Sequence, residues 1–204
     1  MKLLVLGAAG KTGRLVVEQA LAAGHTVTAF VRDPSKLKLS DERLSVASGD
    51  ARDFDSVLAV LNGQDAVINT IGGVEAELVA KTTAVIVVAM QTSGVRRVVT
   101  LSSFMATPNF RPTGMMRLLP GLVQRVTKDD LAGAKLLEGS MLDWTIVYAT
   151  LLKNKPRAGF RLVDADETVT AKNHVNRADV AACLLDLLDD RKTIRQSLLI
   201  TGSR

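Results

Sequence analysis

The sequence LLVLGAAGKTG, residues 3–13, decides the fold of this chain. It opens with four apolar residues that do not alternate with polar ones, which is typical of a parallel β-strand covered on both faces. A glycine-rich turn follows, and residues 12–23 then place apolar side chains at helical spacing. The stretch therefore predicts a strand, a tight turn and a helix in direct succession.

The turn carries Gly7, Gly10 and Gly13 at the spacing G-x-x-G-x-x-G. Glycines at such a turn let the chain bend sharply, let backbone N–H groups approach a pyrophosphate, and let the helix pack close to the strand. The N-terminus of the helix adds free N–H donors and a partial positive charge. An ordinary strand-to-helix turn does not need three glycines, so we predict a dinucleotide-binding site here.

Strands and helices continue to alternate along the rest of the chain. This alternation predicts an α/β fold: a Rossmann-type, doubly wound parallel sheet with helices on both faces. A single domain spanning 1–204 is expected, with a small substrate-side portion at about 149–176. The remaining strands are predicted at 26–31, 44–48, 65–71, 98–102, 144–148 and 197–201, and the remaining helices at 53–61, 76–92, 122–138 and through 180–187.

The composition excludes several classes of protein. Hydrophobic residues make up 47% and charged residues 23% of the 204 residues, as in ordinary globular domains. The aromatic fraction of 3% leaves few rings for stacking on nucleic acid bases, and no apolar run reaches the roughly 18 residues of a membrane span. One cysteine and two histidines do not support a metal site. We expect a cytoplasmic monomer or homodimer without nucleic acid or membrane partners.

The end of the second predicted strand selects the cofactor, because the residue there reaches the adenosine ribose. An acidic residue at this point favours NAD, whereas a guanidinium suits the 2′-phosphate of NADP. The sequence places Arg32 there, with Lys36 nearby as a second cation. Asp33 is explained as an Asx turn before Pro34. NADP(H) is therefore predicted in preference to NAD(H).

Two further turns follow predicted strands and face the same edge of the sheet. Asp50 and Ala51 come after the third strand, where they either bracket an adenine or form a capped turn. Ile71, Gly72 and Gly73 end the fourth strand, and their small size lets the chain pass close under a ribose and phosphate. Ligands of open α/β sheets bind outside the carboxyl ends of the strands, where these turns lie.

Motifs along the chain resemble the atypical short-chain dehydrogenase/reductase superfamily, and within it the NmrA-like and biliverdin-IXβ (flavin) reductase group. The resemblance covers residues 2–188 and is carried by the glycine turn, the helix of Lys135, and the segments VRDPSKL, SGDARD, QDAVINTIGG, VVTLSSF and NRADVAA. It implies NADPH bound along the turns described above, with the nicotinamide beside Ser102 and Ser103. The candidate cofactor-binding residues are Gly7, Ala9, Gly10, Lys11, Thr12, Gly13, Arg32, Lys36, Asp50, Ala51, Ile71, Gly72, Gly73, Ser102, Ser103, Lys135, Thr150 and Leu151.

The chain departs from the superfamily at its catalytic pair. Dehydrogenases of the superfamily pair a tyrosine with a lysine four residues later, and the phenol acts as a general acid. Here Lys135 is present but Leu131 replaces the tyrosine, and Tyr148 is interpreted as a core residue of a strand. Ser103 and Lys135 are the candidate catalytic residues. Ser103 either hydrogen-bonds the carboxamide or substrate or caps a turn, and Lys135 either binds the ribose or a phosphate or is solvated.

The segment 109–128, NFRPTGMMRLLPGLVQRVTK, is predicted to be a lid over the substrate. Its methionines and leucines suit a planar ring, and its arginines suit a carboxylate or phosphate. A surface loop leading into a helix and a docking patch for a partner are the alternatives.

Two functions remain open at this point. The first is an NADPH-dependent oxidoreductase that passes hydride to a flavin or another planar conjugated acceptor without the Tyr–Lys pair. Such an acceptor is intrinsically electrophilic, so the protein mainly has to orient it. The second is a non-catalytic NADP(H)-sensing regulatory protein of the NmrA type.

Overall fold

The computed structural model describes residues 1–112, 114–168 and 173–203. Their strands are β1 (Lys2–Leu6), β2 (Thr26–Val31), β3 (Leu44–Ser48), β4 (Ala66–Asn69), β5 (Arg97–Ser103), β6 (Asp143–Ala149), β7 (Leu151–Lys153), β8 (Phe160–Asp164), β9 (His174–Asn176) and β10 (Gln196–Gly202). Their helices are α1 (Lys11–Ala22), α2 (Phe54–Leu61), α3 (Leu78–Ser93), α4 (Pro120–Glu138) and α5 (Arg177–Asp189). Within these ranges no helix has the length and apolar character needed to cross a membrane.

The main sheet has the strand order β3-β2-β1-β4-β5-β6-β10-β8. The chain runs outward from β1 to β3 and then returns to place β4 beside β1, so the direction of winding reverses between these two strands. A crevice opens at the carboxyl ends of the strands at such a reversal. The Rossmann-type α/β fold predicted from the sequence is confirmed.

Side chains of β1 alternate between two apolar layers, which explains why the strand is apolar throughout. Leu3 and Val5 are fully buried in one layer, together with residues of α1 and α5. Leu4 and Leu6 are fully buried in the other, together with residues of α2, α3 and α4. Helices therefore cover both faces of the sheet, as expected for a strand without polar alternation.

The C-terminal portion differs from the expected parallel pattern. Strand β8 pairs antiparallel with β10 at the edge of the sheet, and β7 and β9 form a separate parallel pair. None of these three strands was predicted, because β7 and β9 have three residues each and β8 is half-buried without polar alternation. Segments this short do not display the periodicity that identifies a strand.

The N-terminus of α3 is capped by a side chain from α4. Glu77, which precedes α3, has a left-handed φ of 58° and provides no side-chain cap. The carboxylate of Asp129 instead accepts hydrogen bonds from the N–H groups of Val79 and Ala80, both at 2.9 Å. A Cβ at Gly133 would lie 2.9 Å from the Val79 side chain, so the glycine permits this close approach. Asp129 and Gly133 together fix α4 against α3.

Replacing Asp129 with alanine should destabilise the fold. The change leaves two N–H groups at the start of α3 without their acceptor, and each unpaired buried donor costs about 1–3 kcal/mol. We expect the free energy of unfolding in urea to fall by about 2–5 kcal/mol. Asp186→Ala, at an exposed position of α5, is the matched control and should change it by about 0.5 kcal/mol or less. Equal unfolding midpoints for both variants would contradict this role for Asp129.

Candidate functional site

The glycine turn after β1 holds α1 against the sheet at very short range. Gly7 has a φ of +76°, and a Cβ there would lie 2.9 Å from the Thr70 hydroxyl oxygen. A Cβ at Gly13 would lie only 2.2 Å from the carbonyl oxygen of Gly7, which is far inside van der Waals contact. Both glycines are therefore required by packing between α1, β1 and the end of β4.

Gly10 stands at the N-cap of α1 and leaves the helix start open. No side chain in the described part of the chain caps this end, although the first N–H groups of a helix lack partners within it. The N–H groups of Lys11, Thr12 and Gly13 begin the helix. They form an electropositive end of the kind that binds phosphate groups.

A hollow of about 320 Å³ extends from this turn towards β2 and β3. We call it the Arg32 hollow. Its lining includes these residues predicted from the sequence: Gly7, Ala9, Gly10, Arg32, Lys36, Asp50, Ala51, Ile71 and Gly72.

Ion pairs within the Arg32 hollow distinguish its cations. Asp33 accepts a hydrogen bond from the Ser35 N–H at 3.1 Å, which confirms the predicted turn, and it lies 3.8 Å from the Lys36 ammonium. Arg52 pairs with Asp50 at 2.7 Å, and its hydrogen bonds lower the pKa of Asp50 to about 2. Arg32 forms no ion pair with the carboxylates of the described residues, so its guanidinium is available to an anion.

A second hollow, of about 510 Å³, lies on the other side of the turn, beneath β5 and β6. We call it the Ser103 hollow. It shares Gly10, Ile71 and Gly72 with the Arg32 hollow, so the two hollows adjoin at these residues and together are called the cleft. Its other predicted residues are Lys11, Thr12, Gly13, Gly73, Ser102, Ser103, Thr150 and Leu151.

The hydroxyl groups in the Ser103 hollow have different partners. The Ser103 oxygen accepts the Met105 N–H at 3.2 Å and so caps a short 3-10 turn, which leaves its hydroxyl proton available to a ligand. The Thr150 hydroxyl donates to the Ile200 carbonyl at 3.2 Å. The Ser102 oxygen is buried and has no hydrogen-bond partner among the residues described. Ser103 therefore takes the turn-capping role, and its hydrogen bond to a carboxamide or substrate stays a prediction.

Lys135 does not line this cleft, contrary to the prediction from the sequence. It is exposed on α4 and contributes, with Leu131, to a separate apolar groove of about 770 Å³. The two residues are one helical turn apart, and the residues of α4 that face the sheet are Asp130, Ala134 and Leu137. The rotation of α4 therefore turns the positions of the Tyr–Lys pair away from the Ser103 hollow.

Asp130 reaches the cleft instead, and sequence reasoning missed it. Its side chain is buried and lines the Ser103 hollow. Burial, reinforced by the charge of Asp129, raises the pKa of Asp130 to about 7, while a hydrogen bond from the Ser103 N–H opposes the shift. A signal for Asp130 was present in the sequence. Val126, Asp130 and Gly133 are spaced as residues on one face of a helix, and an acidic residue on a buried face is unusual.

Two other titratable side chains take structural positions. Tyr148 is buried in β6, and burial raises its pKa to about 12, which agrees with its predicted core role. Cys183 is fully buried in α5, and burial raises the pKa of its thiol to about 12. Neither side chain lines the cleft.

Arg177 is a cation of the Ser103 hollow that the sequence did not predict. It begins α5 and donates hydrogen bonds to the Leu152 carbonyl at 3.3 Å and to the Asn154 side chain at 2.7 Å. Nearby, the buried carboxylate of Asp179 accepts the N–H groups of Ala158 and Gly159. Residues 176–179 (NRAD) thus fix the wall of the cleft that the C-terminal part of the chain forms.

The segment 109–128 leads into α4, which begins at Pro120, as the alternative of a surface loop before a helix expected, and its role as a lid stays a prediction. Residues 114–118 form a 3-10 turn, and Met116 lines both the apolar groove and the Ser103 hollow. Thr113 and the side chain of Met115 lie outside the described residues. The basic side chains Arg111, Arg117 and Arg125 are exposed.

Comparison with known proteins agrees with this geometry. A family model described as NAD(P)H-binding matches residues 7–191. An uncharacterized chloroplastic protein of Arabidopsis thaliana is 32% identical over 185 residues, covering 82% of this chain and 65% of that protein. An isoflavone reductase homolog of the same plant is 34% identical over 83 residues, covering 36% of this chain and 27% of that protein. The chain thus spans less than two thirds of the length of these curated relatives.

A solved structure shares the fold. The short-chain dehydrogenase/reductase of Veillonella parvula in complex with NADP superimposes with a TM-score of 0.79 at 21% identity, covering 99% of this chain and 94% of that chain. The match over residues 7–191 confirms the NAD(P)H-binding family that the resemblance implied. Its glycine turn and open helix N-terminus agree with this match, and the chain belongs to the family of NAD(P)H-binding proteins.

Proposed function

We propose that this protein is an NADPH-dependent oxidoreductase that transfers hydride to a flavin or another planar conjugated acceptor. The observation that carries the proposal is the pair of adjoining hollows at the carboxyl ends of the strands, of which one reaches the glycine turn before α1 and the other is lined by serine hydroxyls and apolar side chains. Bound NADPH supplies the hydride, and the residues of the chain hold and orient the reactants.

The cradle fits a dinucleotide. The glycines of the turn leave no side chain between the N–H groups of α1 and the cleft, and a Cβ at Gly72 would meet no heavy atom within 4 Å, so the space above it is open. Arg32 has a guanidinium without a carboxylate partner in the described ranges, whereas Arg52 is held by Asp50 and Glu75. This difference supports recognition of the 2′-phosphate by Arg32.

The acceptor side favours an electrophilic ring. The positions of the Tyr–Lys pair face the apolar groove, and Tyr148 is buried in the core. A conjugated acceptor is intrinsically electrophilic and does not need the phenolic acid of that pair. Leu101, Phe104 and Met116 provide apolar walls of the Ser103 hollow, beside Ser103. The reductase named among the relatives supports the same reaction class.

The orientation of Leu131 and Lys135 also favours the second candidate, a non-catalytic NADP(H)-sensing regulator of the NmrA type. In such a protein the cleft binds the cofactor and a partner reads the bound state. Tight NADPH binding without turnover of flavins, quinones or biliverdin would favour the sensor. The cytoplasmic location, the planar small-molecule partner, the absence of nucleic acid and membrane partners, and the monomeric or homodimeric state stay predictions.

The protein should bind NADPH more tightly than NADH, and Arg32→Ala should remove much of the difference. A lost hydrogen bond to a charged group costs about 1.5–3 kcal/mol, which corresponds to roughly a 10- to 100-fold loss of NADPH affinity. Calorimetric titration of both cofactors measures it. Lys38→Ala removes an exposed cation just outside the hollow and should leave the preference unchanged. Equal affinity of the unmutated protein for the two cofactors would refute the prediction.

Gly72→Val should weaken dinucleotide binding while the chain still folds. The added side chain meets no protein atom nearby and the backbone is not left-handed, but the side chain projects into the space shared by both hollows. Overpacking of about 1–3 kcal/mol predicts a loss of NADPH affinity of roughly tenfold or more. Gly121→Val, which also meets no heavy atom within 4 Å, is the control. Unchanged affinity with a normal circular dichroism spectrum would place the site elsewhere.

The purified protein should oxidise NADPH with FMN or a similar planar acceptor. Ser103→Ala should lower kcat by roughly two- to tenfold, because one neutral hydrogen bond contributes about 0.5–1.5 kcal/mol. Tyr148→Phe should leave kcat within a few-fold, because the phenol is buried in the core. Absorbance at 340 nm follows the reaction. A large loss of activity on Tyr148→Phe would mean that the phenol takes part in the chemistry after all.

A further inference from the structure

We propose that Asp130 is the proton donor of this site: its carboxyl group, buried between the Ser103 hollow and a small internal cavity, protonates the acceptor as the acceptor receives hydride. This inference rests on the proposed oxidoreductase function and adds to it the residue that supplies the proton. It also points to the acceptor class, which must gain a proton along with the hydride, as a quinone or a conjugated carbonyl compound does.

The position of Asp130 carries the proposal. Its side chain is 6% exposed and lines the Ser103 hollow together with Ser102, Ser103 and Met116. It lies on the face of α4 that is directed at β5. The next residue, Leu131, occupies the position of the superfamily tyrosine and is directed away from the cleft. Asp130 is therefore the acidic group that α4 presents to the acceptor side.

Behind Asp130 is a cavity of about 10 Å³ whose lining includes three hydroxyl-bearing residues among apolar side chains. The oxygens of Thr83, Thr100 and Ser102 are buried there and have no hydrogen-bond partner in the described part of the chain. A cavity of this size is near the minimum that holds one water molecule, and buried polar groups of this kind are usually satisfied by one. A Cβ at Gly133 would lie 3.2 Å from the Thr83 hydroxyl, so the glycine keeps this space open.

These hydroxyls make no direct hydrogen bond to Asp130. Each can donate or accept, so through a water molecule in the cavity they can stabilise either the carboxyl or the carboxylate form of Asp130. A fixed set of N–H donors would hold only the carboxylate. Asp129 illustrates that contrast, since its oxygens accept two backbone N–H groups at the start of α3.

Burial and one neighbouring charge make Asp130 titrate near neutral pH. Asp129 is the acidic neighbour on α4, Tyr148 is the ionisable side chain that interacts with it from β6, and Ser103 donates its N–H from β5. The cavity residues Val79 and Thr83 from α3 are uncharged. Burial and Asp129 raise the pKa of Asp130 to about 7, where a general acid is most effective at physiological pH.

Reduction of the acceptor takes one hydride, which the nicotinamide supplies, and one proton, which Asp130 supplies. The O–H bond of Asp130 breaks, its proton forms a new O–H or N–H bond on the acceptor atom that gains negative charge, and its electron pair remains on the carboxylate. A proton from water then restores the carboxyl group. The net reaction consumes NADPH, the acceptor and one proton, and it yields NADP⁺ and the reduced acceptor.

The test compares Asp130→Asn with the unmutated protein, using a naphthoquinone as acceptor. In the unmutated protein, kcat should fall as pH rises through about 7, because only the protonated carboxyl donates. Asp130→Asn should lower kcat at pH 6 by roughly 10²- to 10⁴-fold and remove this pH dependence, with NADPH affinity unchanged by calorimetry. Asp130→Glu should recover part of the rate. Asp186→Asn, at an exposed position of α5, should leave rate and profile unchanged.

An infrared titration gives a readout that does not depend on turnover. The unmutated protein should show the C=O stretch of a buried protonated carboxyl that disappears with a midpoint near 7, and Asp130→Asn should lack this band. If the unmutated protein lacks this band, the proposal is overturned. This result does not require the Asp130→Asn variant to fold.

The outcomes separate the two proposals. Quinone reduction that survives Asp130→Asn at the same rate and with the same pH profile overturns the role of Asp130 and leaves the oxidoreductase function intact. Tight NADPH binding without reduction of any acceptor by the unmutated protein overturns the oxidoreductase function, and the donor role falls with it. Loss of rate and of pH dependence, together with loss of the carboxyl band, supports Asp130 as the donor.

Discussion

The contact between Gly13 and the carbonyl oxygen of Gly7 is the constraint on which the site depends. A Cβ at Gly13 would lie 2.2 Å from that oxygen, so only a residue without a side chain permits α1 to begin this close to β1. The reversal of winding between β1 and β4 opens a crevice at the same place. The N-terminus of α1 therefore points into the crevice, and the two hollows meet beneath it.

The second organising feature is the pair of adjacent acids on α4. Asp129 caps α3 through two backbone hydrogen bonds, whereas Asp130 faces the sheet among hydroxyl groups and apolar side chains. A charge without compensating partners is expensive to bury, so the group takes up a proton instead. Two neighbouring carboxyls thus acquire different chemistry from their surroundings: one holds two helices together, and the other is an acid that titrates near neutral pH.

Ion pairs with neighbouring carboxylates determine which cations of this basic chain are available to bind an anionic ligand. The net charge of +5 attracts anions in general, but it does not select a position. Arg52 is bound to Asp50 and Glu75, and Lys36 lies near Asp33. Arg32 stands at the end of β2 beside these pairs without joining them. A bidentate contact with a phosphate is therefore least hindered at Arg32.

The sequence by itself determined the alternation of strands and helices, the glycine turn, the turn at Asp33 and the position of Arg32. These features follow from local spacing and backbone chemistry, which a sequence records directly. Only the tertiary structure decided which side of α4 faces the cleft, and hence that Asp130 rather than Lys135 lines it. Helical periodicity fixes the angles between residues on one helix, but the rotation of that helix about its axis is set by packing against α3 and β5. The short strands β7, β8 and β9 likewise depend on partners distant in sequence, because so few residues carry no periodic signal of their own.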